Sequence, residues 1–499
     1  MALVSSYTLL GLNIVQQMLT VPLALSYLQQ AEFGLWALVL QMVNYIALID
    51  LGMSTATVRT LIDYKDNRDS GEYGTVLLTG GVVSLVQGLI IIAIGVAGSF
   101  YAGDWLNVDA HLKDDFVILA LGQSIITGLR FAFRPLNLVL YANQRHDLVN
   151  WIEGVGVIVA TVGLWLGLKC GSGIFSSLWS NGASTVTVIL IYLVACAKTR
   201  VLPRRGQWGR FCMKQFRGLF SYGKDIFLFI VGYQVITASQ VILVTRVLGL
   251  DAAGIWVIGI RTYNLIIQLL SRIIDSSTPG LSEMWVRNER DRFFRRYRDV
   301  VTASASCAVC AGVMLAACNW SFVELWTSGR VSWPQQNDLL LGLLVFVQVL
   351  TRNYTSVAGL LKDFSVLTYI YFIEGFVFVA AGLQALRLWG TGGLIGASIL
   401  CTCLFSLPAS LAKVRRCFDL SAAEILGRWN GPALKVAAAL SPVAVLNAWL
   451  FHGMPPWKQF FANGICTGVP AAAFCVLFGF SREIRGEILS RLPKRFRRA

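Results

Sequence analysis

Two arginines, an asparagine, a glutamine and an aspartate recur at helical spacing within an otherwise apolar stretch, residues 254–279. Side chains three or four residues apart share one face of an α-helix, so these five form a single polar stripe. The stripe consists of Arg261, Asn264, Gln268, Arg272 and Asp275. A guanidinium facing lipid costs about 2.5 kcal/mol or more at the centre of a membrane helix. The stripe is therefore expected to face protein, water or a bound anion.

A second polar stripe follows the same rule within residues 116–138. Its members are Gln123, Thr127, Arg130, Arg134 and Asn137. Two arginines one turn apart repel each other unless an anion or a carboxylate lies between them. The adjacent proline, Pro135, is expected to interrupt the backbone hydrogen bonds of this helix. Arg130 is predicted to bind substrate, whereas Arg134 either does so or extends its charge toward the membrane surface.

Three carboxylates and one further arginine lie in other apolar segments. Asp50 opens an Asp-Leu-Gly triplet and is either a structural partner of Arg130 or Arg272, which lie at a similar depth, or a gate that exchanges partners. Asp275, three residues after Arg272, is either its local partner, which would leave Arg261 as the freer charge, or a gate. Glu374 is either a proton or cation site or the partner of an arginine. Arg352, one turn after a glutamine, is a further candidate for substrate binding.

The composition indicates the environment of these groups. Hydrophobic residues make up 56% of the 499 residues and charged residues only 14%, whereas soluble domains carry about 25% charged residues. The apolar stretches are about 20 residues long, which is enough to cross a bilayer. The sequence therefore predicts an all-α polytopic membrane protein with about 14 transmembrane helices. They are expected near 8–28, 33–58, 74–99, 116–138, 149–168, 174–195, 222–247, 252–279, 300–318, 339–360, 364–386, 391–411, 431–450 and 460–480.

The charge distribution sets the orientation. Alternate connections hold 30 lysines and arginines on one side and 5 on the other. Because basic loops stay in the cytoplasm, both termini are predicted to be cytoplasmic. The net charge of +15 is then explained by these loops and by contact with anionic lipids, and no nucleic-acid partner is expected. The 11 cysteines and 3 histidines lie without a ligand pattern, so we expect neither a disulfide framework nor a metal site.

An internal repeat organises the chain. Residues 33–61 and 253–281 align without gaps at a shift of 220 residues, and Gly34, Trp36, Asn44, Ile46 and Leu61 recur at the shifted positions. A repeat of six helices predicts two pseudo-symmetric lobes around a central cavity, as in many transporters. The expected divisions are a first lobe at 1–200, a basic connection at 201–221, a second lobe at 222–412, a second basic connection at 413–430, an appended helix pair at 431–480 and a basic tail at 481–499.

The arginines point to a class of substrate. Guanidinium groups bind phosphate oxygens in pairs and keep their charge at any physiological pH. Amides and hydroxyls beside them suit sugar hydroxyl groups, while an apolar tail can remain in the lipid. The combination suggests a lipid-linked, phosphorylated glycan.

The sequence resembles the O-antigen type polysaccharide flippases of the multidrug/oligosaccharidyl-lipid/polysaccharide exporter superfamily. The resemblance rests on Phe-Gly-Leu-Trp at 33–36, Asp-Leu-Gly at 50–52 and Pro-Gly-Leu-Ser at 279–282. It implies two six-helix lobes and alternating access. It further implies that a polyprenyl-pyrophosphate-linked oligosaccharide crosses from the cytoplasmic to the outer leaflet of a bacterial inner membrane, for surface polysaccharide biosynthesis.

Other functions remain open at this stage. A cation-coupled multidrug exporter would share the fold, and a polytopic scaffold would have only structurally paired charges. A membrane glycan polymerase or ligase needs acid–base residues in a large outward loop, and the longest, 319–338, offers Glu324, Arg330 and Asp338 but no histidine. We therefore predict a transporter without catalytic residues or cofactors. Coupling of transport to the membrane potential, to H⁺ or to Na⁺ is left open. Membrane lipids are expected partners, and contact with other polysaccharide-assembly proteins is also left open.

Overall fold

The computed structural model describes residues 2–64, 71–106, 108–204, 206–361, 363, 365–480 and 485. Within these ranges the regular structure is helical and contains no β-strand, which confirms the all-α prediction. The α-helices are α1 (Ala2–Leu25), α2 (Gln30–Ile46), α3 (Met53–Tyr64), α4 (Glu72–Trp105), α5 (Lys113–Ala132), α6 (Arg134–Ala142), α7 (His146–Lys169), α8 (Ser176–Thr199), α9 (Met213–Leu248), α10 (Leu250–Gly259), α11 (Arg261–Val286), α12 (Arg290–Trp326), α13 (Gln336–Leu361), α14 (Ser365–Leu404), α15 (Ser406–Phe418), α16 (Ala422–Glu424), α17 (Asn430–Leu450) and α18 (Pro456–Phe474).

The helices are long and apolar enough for a multi-pass membrane protein. Among the described residues, 12 helical segments meet this criterion, and the bent pair α10–α11 brings the number to 13. One of the 12, Val366–Phe418, is 53 residues long. Its backbone leaves the helical conformation at Gly390 (φ 58°, ψ −149°), so it has the length of two spans. These segments correspond to the predicted number of about 14.

The chain forms two compact units, Met1–Ile255 and Trp256–Ala499. In the first unit, α4 packs along α5, α7 packs along α1 and α8, and α9 packs against α2 and α3. A buried core joins α3, α4, α6, α7 and α8 through residues such as Leu61, Tyr73, Val139 and Tyr192. The expected lobe boundaries remain predictions, and the predicted basic tail lies outside the described residues except for Arg485.

The second unit is built around the long helix α12. Helices α11, α13, α17 and α18 all pack against it. Near its N-terminus, the rings of Phe293 and Tyr297 stack on Phe418, and Trp429 contacts Tyr297 edge-on. This aromatic cluster fixes α15 and the start of α17 on α12, because aromatic pairs add to the energy of apolar burial.

The positions related by the repeat have similar surroundings. Leu61 and Leu281 are both fully buried, each in the core of its own unit. A Cβ atom added to Gly34 would lie 2.0 Å from the carbonyl oxygen of Leu250, and one added to Gly254 would lie 2.8 Å from that of Gln30. Both glycines are thus required by the close approach of α2 and the first turns of α10. The side chain of Asn44 lies outside the described residues.

Four predicted membrane helices are interrupted. The break after Phe133 separates α5 from α6 and agrees with the expected effect of Pro135. Three other predictions of continuous helices, 33–58, 252–279 and 391–411, are wrong, and the last is divided between α14, which ends at Leu404, and α15, which begins at Ser406. The first is broken by a 3₁₀ turn at Ala47–Asp50 and by positive φ angles at Leu51 (50°) and Gly52 (73°). The second bends by 40° between α10 and α11.

Candidate functional site

A cavity of about 750 Å³ opens in the first unit. We call it the first-unit cavity; its walls come from the 3₁₀ turn at Ala47–Asp50 and from α1, α3, α5, α6, α7, α8 and α9. The polar side chains on its surface include Asp50, Thr127, Arg130, Arg134, Asn137, Glu153 and Tyr192. The structure therefore brings together three of the predicted site residues, Asp50, Arg130 and Arg134.

Arg134 is held by the carboxylate of Asp50. The Nη1 atom of Arg134 lies 3.0 Å from Oδ1 of Asp50, which also accepts a hydrogen bond of 2.5 Å from the Ser54 hydroxyl. The guanidinium lies over the ring of Phe131, 5.0 Å from its centroid. From the sequence, Arg130 or Arg272 was the expected structural partner of Asp50, and in the structure the partner is Arg134 instead.

The break in the second predicted helix determines where Asp50 lies. Positive φ angles at Leu51 and Gly52 turn the chain after Asp50, so that the helix does not continue and a new one starts at Met53. The amide of Gln87 on α4 donates to the carbonyl oxygens of Ile49 (2.9 Å) and Asp50 (3.2 Å). Those bonds satisfy carbonyl groups that the break leaves without a helical partner.

Arg130 pairs with Glu153, a residue that the sequence analysis did not select. Its Nη2 atom lies 2.6 Å from Oε2 of Glu153. The other carboxylate oxygen accepts a 2.9 Å hydrogen bond from the Tyr192 hydroxyl, which in turn accepts one of 2.7 Å from the amide of Asn137. This chain of contacts joins α5, α6, α7 and α8. A signal was present, because Glu153 is the one carboxylate within the apolar stretch 149–168.

Both arginines keep donors free for a ligand. A guanidinium has five N–H donors. In the described part of the chain, hydrogen bonds engage only Nη2 of Arg130, with Glu153, and Nη1 of Arg134, with Asp50. The side chains are 52% and 35% exposed, respectively. Each group is therefore oriented by a carboxylate and still accessible from the cavity.

The predicted polar stripe of α11 lies in the second unit. Asn264, Gln268, Arg272 and Asp275 are exposed, while the apolar residue Ile274 is buried. The helix thus presents its polar side outward from the core of this unit. Arg272 makes no ion pair with any residue that the structure describes.

The expected pairing of Asp275 with Arg272 is not what the structure has. Asp275 instead receives the guanidinium of Arg352 from α13, whose Nη2 atom lies 3.0 and 3.1 Å from the two carboxylate oxygens. Residues three apart on a helix can meet, but here one guanidinium nitrogen from the neighbouring helix contacts both carboxylate oxygens. The arginines of the α11 stripe that make no ion pair among the described residues are therefore Arg261 and Arg272.

Arg261 lies immediately after the bend between α10 and α11. The amide of Asn319 donates 3.1 Å to the carbonyl oxygen of Gly259 and 2.7 Å to Asp338, which also accepts 2.7 Å from the indole of Trp333. A Cβ atom on Gly259 would lie 1.9 Å from the Trp333 ring. This contact network positions the bend and therefore the first residue of α11. The Nε atom of Arg261 is buried and has no hydrogen-bond partner among the described residues.

Glu374 is buried and pairs with no arginine in the part of the chain that the structure describes. It is 1% exposed, and the Ser406 hydroxyl donates to its Oε1 atom at 3.3 Å, while Oε2 has no partner among the described residues. Its neighbour Thr402 also accepts a hydrogen bond from Gln348 (3.3 Å). Of the two roles weighed for Glu374, the ion pair with an arginine is absent from this part of the structure.

The potential metal and thiol ligands of the described residues do not form a metal site. In the described ranges, no three His, Cys, Asp or Glu side chains gather closely enough to hold a metal ion. Cys307 and Cys475 lie with their sulfurs 4.0 Å apart between α12 and the C-terminal helices, in an apolar setting.

Comparison with known proteins establishes the family. Residues 27–330 match the family described as "Polysaccharide biosynthesis protein", and this chain belongs to that family. No curated protein shows a significant match to the sequence.

Solved structures establish the fold. The lipid II flippase MurJ in an inward closed conformation aligns with a TM-score of 0.71 at 12% identity, covering 95% of this chain and 98% of that one. An inward-facing multidrug resistance MATE family transporter of the MOP superfamily gives 0.66 at 12% identity, covering 81% and 96%. The Vibrio cholerae MATE transporter VcmN in the bent form gives 0.51 at 15% identity, covering 83% and 97%. The protein thus has the fold of these exporters, as the sequence resemblance implied.

Proposed function

We propose that this protein is a flippase for a polyprenyl-pyrophosphate-linked oligosaccharide. It carries the glycolipid by alternating access from the cytoplasmic to the outer leaflet of a bacterial inner membrane, for surface polysaccharide such as O-antigen. The observation that carries the proposal is the pair of accessible guanidinium groups, Arg130 and Arg134, in one membrane-embedded cavity. Membership of a polysaccharide biosynthesis family supports a glycan as the cargo.

The state of the two arginines suits the capture of a pyrophosphate. Glu153 and Asp50 neutralise them while the cavity is empty, so two positive charges do not repel each other at close range. A pyrophosphate brings two negative charges and several acceptor oxygens, which match the unused N–H donors of both groups. The carboxylates thus act as counter-ions that the substrate displaces, which is the gate role considered for Asp50.

The size of the first-unit cavity limits what it holds. A volume of about 750 Å³ is within the range of sites for small ligands. It suits the pyrophosphate and the sugars nearest to it better than a whole oligosaccharide and a polyprenyl tail. Thr127 and Asn137 on its wall suit sugar hydroxyls.

The second unit supplies a further set of contacts in this proposal. Arg261, Arg272 and Arg352, with the amides of Asn264 and Gln268, present cationic and hydrogen-bonding groups along α11 and α13. Arg272 has no competing carboxylate in the described residues and is the strongest candidate of this set. Asp275 then serves as the counter-ion of Arg352, and Glu374 as the site for a coupling proton or Na⁺.

The energy source is the remaining part of the proposal. A doubly negative headgroup that moves from the cytoplasmic to the outer leaflet moves in the direction favoured by an inside-negative membrane potential. The gain is about 2.3 kcal/mol per charge for each 100 mV. We therefore propose that the potential contributes to transport, in addition to any gradient of H⁺ or Na⁺.

Export of a cationic drug and glycan polymerisation are less well supported. The chain belongs to a family of polysaccharide biosynthesis, which favours a glycan over a cationic drug as the cargo. Asp338, the carboxylate at the end of the longest outward loop, is buried and bonded to Asn319 and Trp333. It is thus occupied in holding the α10–α11 bend and is not placed to act on a soluble glycan.

Purified protein in proteoliposomes tests the proposal with a fluorescent short-chain polyprenyl-pyrophosphate disaccharide. We expect Arg130→Ala and Arg134→Ala each to lower the rate of transfer between leaflets by about tenfold or more, since each removes a charged hydrogen-bond donor. Arg145→Ala is the control, because Arg145 pairs with Asp147 outside the cavity. Unchanged transfer by both cavity variants, or transport of a cationic dye in place of the glycolipid, would overturn the assignment.

A further inference from the structure

A second pocket, of about 260 Å³, lies in the second unit between the first turns of α12 and the segment leading into α17. We call it the α12–α17 pocket. Its polar lining is formed by Arg298, Asp299, Thr302, Glu424 and Arg428. None of these residues belongs to the cavity or to the α11 stripe, so the proposed translocation does not use them.

Two unusual backbone segments lie at this pocket: one carries the lining residues Arg428 and Trp429, and the other directly precedes the lining residue Phe480. Residues Ile425–Trp429 and Cys475–Gly479 each form one π-helical turn, a geometry that is rare and is often found at functional sites. The hydroxyl of Thr302 donates 3.0 Å to the carbonyl oxygen of Trp429, and that of Ser306, one turn later, donates 3.1 Å to the carbonyl oxygen of Gly479. Helix α12 thus satisfies a carbonyl of each widened turn and holds both in place.

The charges of the α12–α17 pocket come in pairs of opposite sign. Asp299 is only 5% exposed, and its Oδ1 atom lies 3.5 Å from Nη2 of the half-exposed Arg298. On the opposite wall, Nη1 of Arg428 lies 3.7 Å from Oε1 of Glu424. Both separations exceed the 2.7–2.9 Å of a charge-assisted hydrogen bond. Each wall therefore offers a guanidinium and a carboxylate that are not fully engaged with each other.

This arrangement discriminates between classes of ligand. A purely anionic group would meet the buried carboxylate of Asp299, and a purely cationic one would meet Arg298 and Arg428. A group that carries both charges a few ångströms apart satisfies both sets. Three N–H donors on the positive end would suit the two carboxylates, and phosphate oxygens would suit the two guanidiniums.

The position of the pocket along the helices fits a lipid headgroup. The charged segment 290–299 precedes the apolar part of α12, and Arg428 and Trp429 precede the apolar part of α17. Basic and aromatic residues at such transitions lie at the level of lipid headgroups. We propose that the α12–α17 pocket binds the headgroup of a zwitterionic phospholipid with a primary ammonium, phosphatidylethanolamine, in the leaflet that faces the basic loops.

In the bound state, the phosphate contacts the guanidiniums of Arg298 and Arg428, and the ammonium donates to the carboxylate of Asp299. Glu424 contributes its Oε1 atom, since its Oε2 atom already accepts hydrogen bonds from Ser421 in the capping box at the start of α16. The acyl chains extend along α12 and α17. The lipid thereby ties the C-terminal helix pair to α12 at its membrane surface.

Native mass spectrometry of the full-length protein with three lipids tests the proposal. Phosphatidylethanolamine is expected to bind more tightly than phosphatidylglycerol, which lacks the ammonium, and than phosphatidylcholine, whose ammonium has no N–H. Asp299→Asn and Arg428→Ala are each expected to weaken binding of phosphatidylethanolamine by about tenfold, equivalent to about 1.4 kcal/mol. Asp291→Asn and Arg295→Ala, exposed on the same helix and outside the pocket, are the matched controls and are expected to bind like the unmodified protein.

Three results would overturn the proposal. Equal binding of phosphatidylglycerol would show that only the negative charge is recognised, and equal binding of phosphatidylcholine would exclude recognition of the primary ammonium. Equal loss in the pocket variants and in the controls would show a diffuse basic surface. Arg428 is 78% exposed, so its replacement is not expected to unfold the protein even if that of Asp299 does.

Discussion

Arg130 and Glu153 form a 2.6 Å ion pair across the wall of the first-unit cavity, and the Tyr192 hydroxyl holds the second carboxylate oxygen. The sequence predicted a pocket with fixed positive charge and left open whether carboxylates pair with its arginines. The structure has two arginines that each carry their own counter-ion. A phosphorylated substrate therefore has to compete with two carboxylates, and its affinity depends on how strongly they are held.

Glu153→Gln is expected to strengthen headgroup binding and slow transport. Glutamine retains an acceptor for Tyr192 but no longer neutralises Arg130, so a pyrophosphate meets no competing anion there. A fluorescent headgroup analogue should bind several-fold more tightly to the variant, and its release in proteoliposomes should be slower. Asp147→Asn, which removes the partner of Arg145 outside the cavity, is the control. Weaker binding by the glutamine variant would contradict the role of Glu153 as a displaceable counter-ion.

A double-mutant cycle on Asp50 and Arg134 is expected to show coupling of about 1 kcal/mol, since both side chains are partly exposed and solvent screens the pair. The single variants Asp50→Asn and Arg134→Gln should each lower the apparent melting temperature in detergent, and the double variant should lose less than their sum. Asp50→Asn keeps an acceptor for the Ser54 hydroxyl, so the cycle reports mainly on the charge. Strictly additive losses would mean that the 3.0 Å contact contributes nothing to stability.

The sequence predicted the class of fold well, because burial in lipid imposes long apolar stretches that can be counted directly. It also predicted the break near Pro135, since proline removes a backbone donor at a known place. The stripe of α11 was recognised for the same reason, as helical periodicity depends only on spacing. These features are local, and local sequence determines them.

The ion pairs could not be predicted, because they join residues far apart in the chain. Arg352 and Asp275 are 77 positions apart, and Arg134 and Asp50 are 84 apart. Arg130 was predicted as a site residue, but its partner Glu153 was not. A charge on one helix gives no information about which helix packs beside it. The helix breaks at Leu51 and Ile260 were not predicted because neither contains a proline. Each is stabilised by a side chain that is distant in the sequence, Gln87 for the first and Asn319 for the second.

Gly52→Ala is expected to destabilise the first unit and to reduce transport. At φ 73° a side chain costs about 1–2 kcal/mol, and a relaxed backbone would displace Asp50 from Arg134. Gly11→Ala is the control, since this glycine lies inside α1 with no atom near the added methyl group, and alanine favours a helix. Thermal unfolding in detergent separates the two. Equal stability of Gly52→Ala and the unmodified protein would show that the turn tolerates a side chain.

Asn319→Ala is expected to loosen the bend between α10 and α11. It removes the side-chain donor to the buried carbonyl oxygen of Gly259 and one of the two side-chain donors to Asp338, which keeps that of Trp333, at a cost of about 1–3 kcal/mol. Because the bend positions Arg261 and the stripe that follows it, transport should fall more than protein level. Asn463→Ala, which removes an amide bonded to the carbonyl oxygen of Ala317 on the same helix but away from the bend, is the comparison. Normal transport by Asn319→Ala at normal protein level would show that transport does not depend on the contacts of Asn319 at the bend.

Glu374→Gln tests whether the buried carboxyl group couples transport to an ion. The Ser406 hydroxyl can donate to glutamine as it does to Oε1 of Glu374, and Oε2 has no partner to lose in the described structure, so the protein should remain folded. Glutamine neither releases a proton nor binds Na⁺ as an anion. In proteoliposomes we therefore expect the variant to respond to an imposed electrical potential but no longer to an imposed gradient of H⁺ or Na⁺. The unmodified protein responds to both if Glu374 is the coupling site. A variant that keeps its full response to an ion gradient would assign the carboxyl group a structural role, in which its hydrogen bond from Ser406 secures the start of α15 against α14.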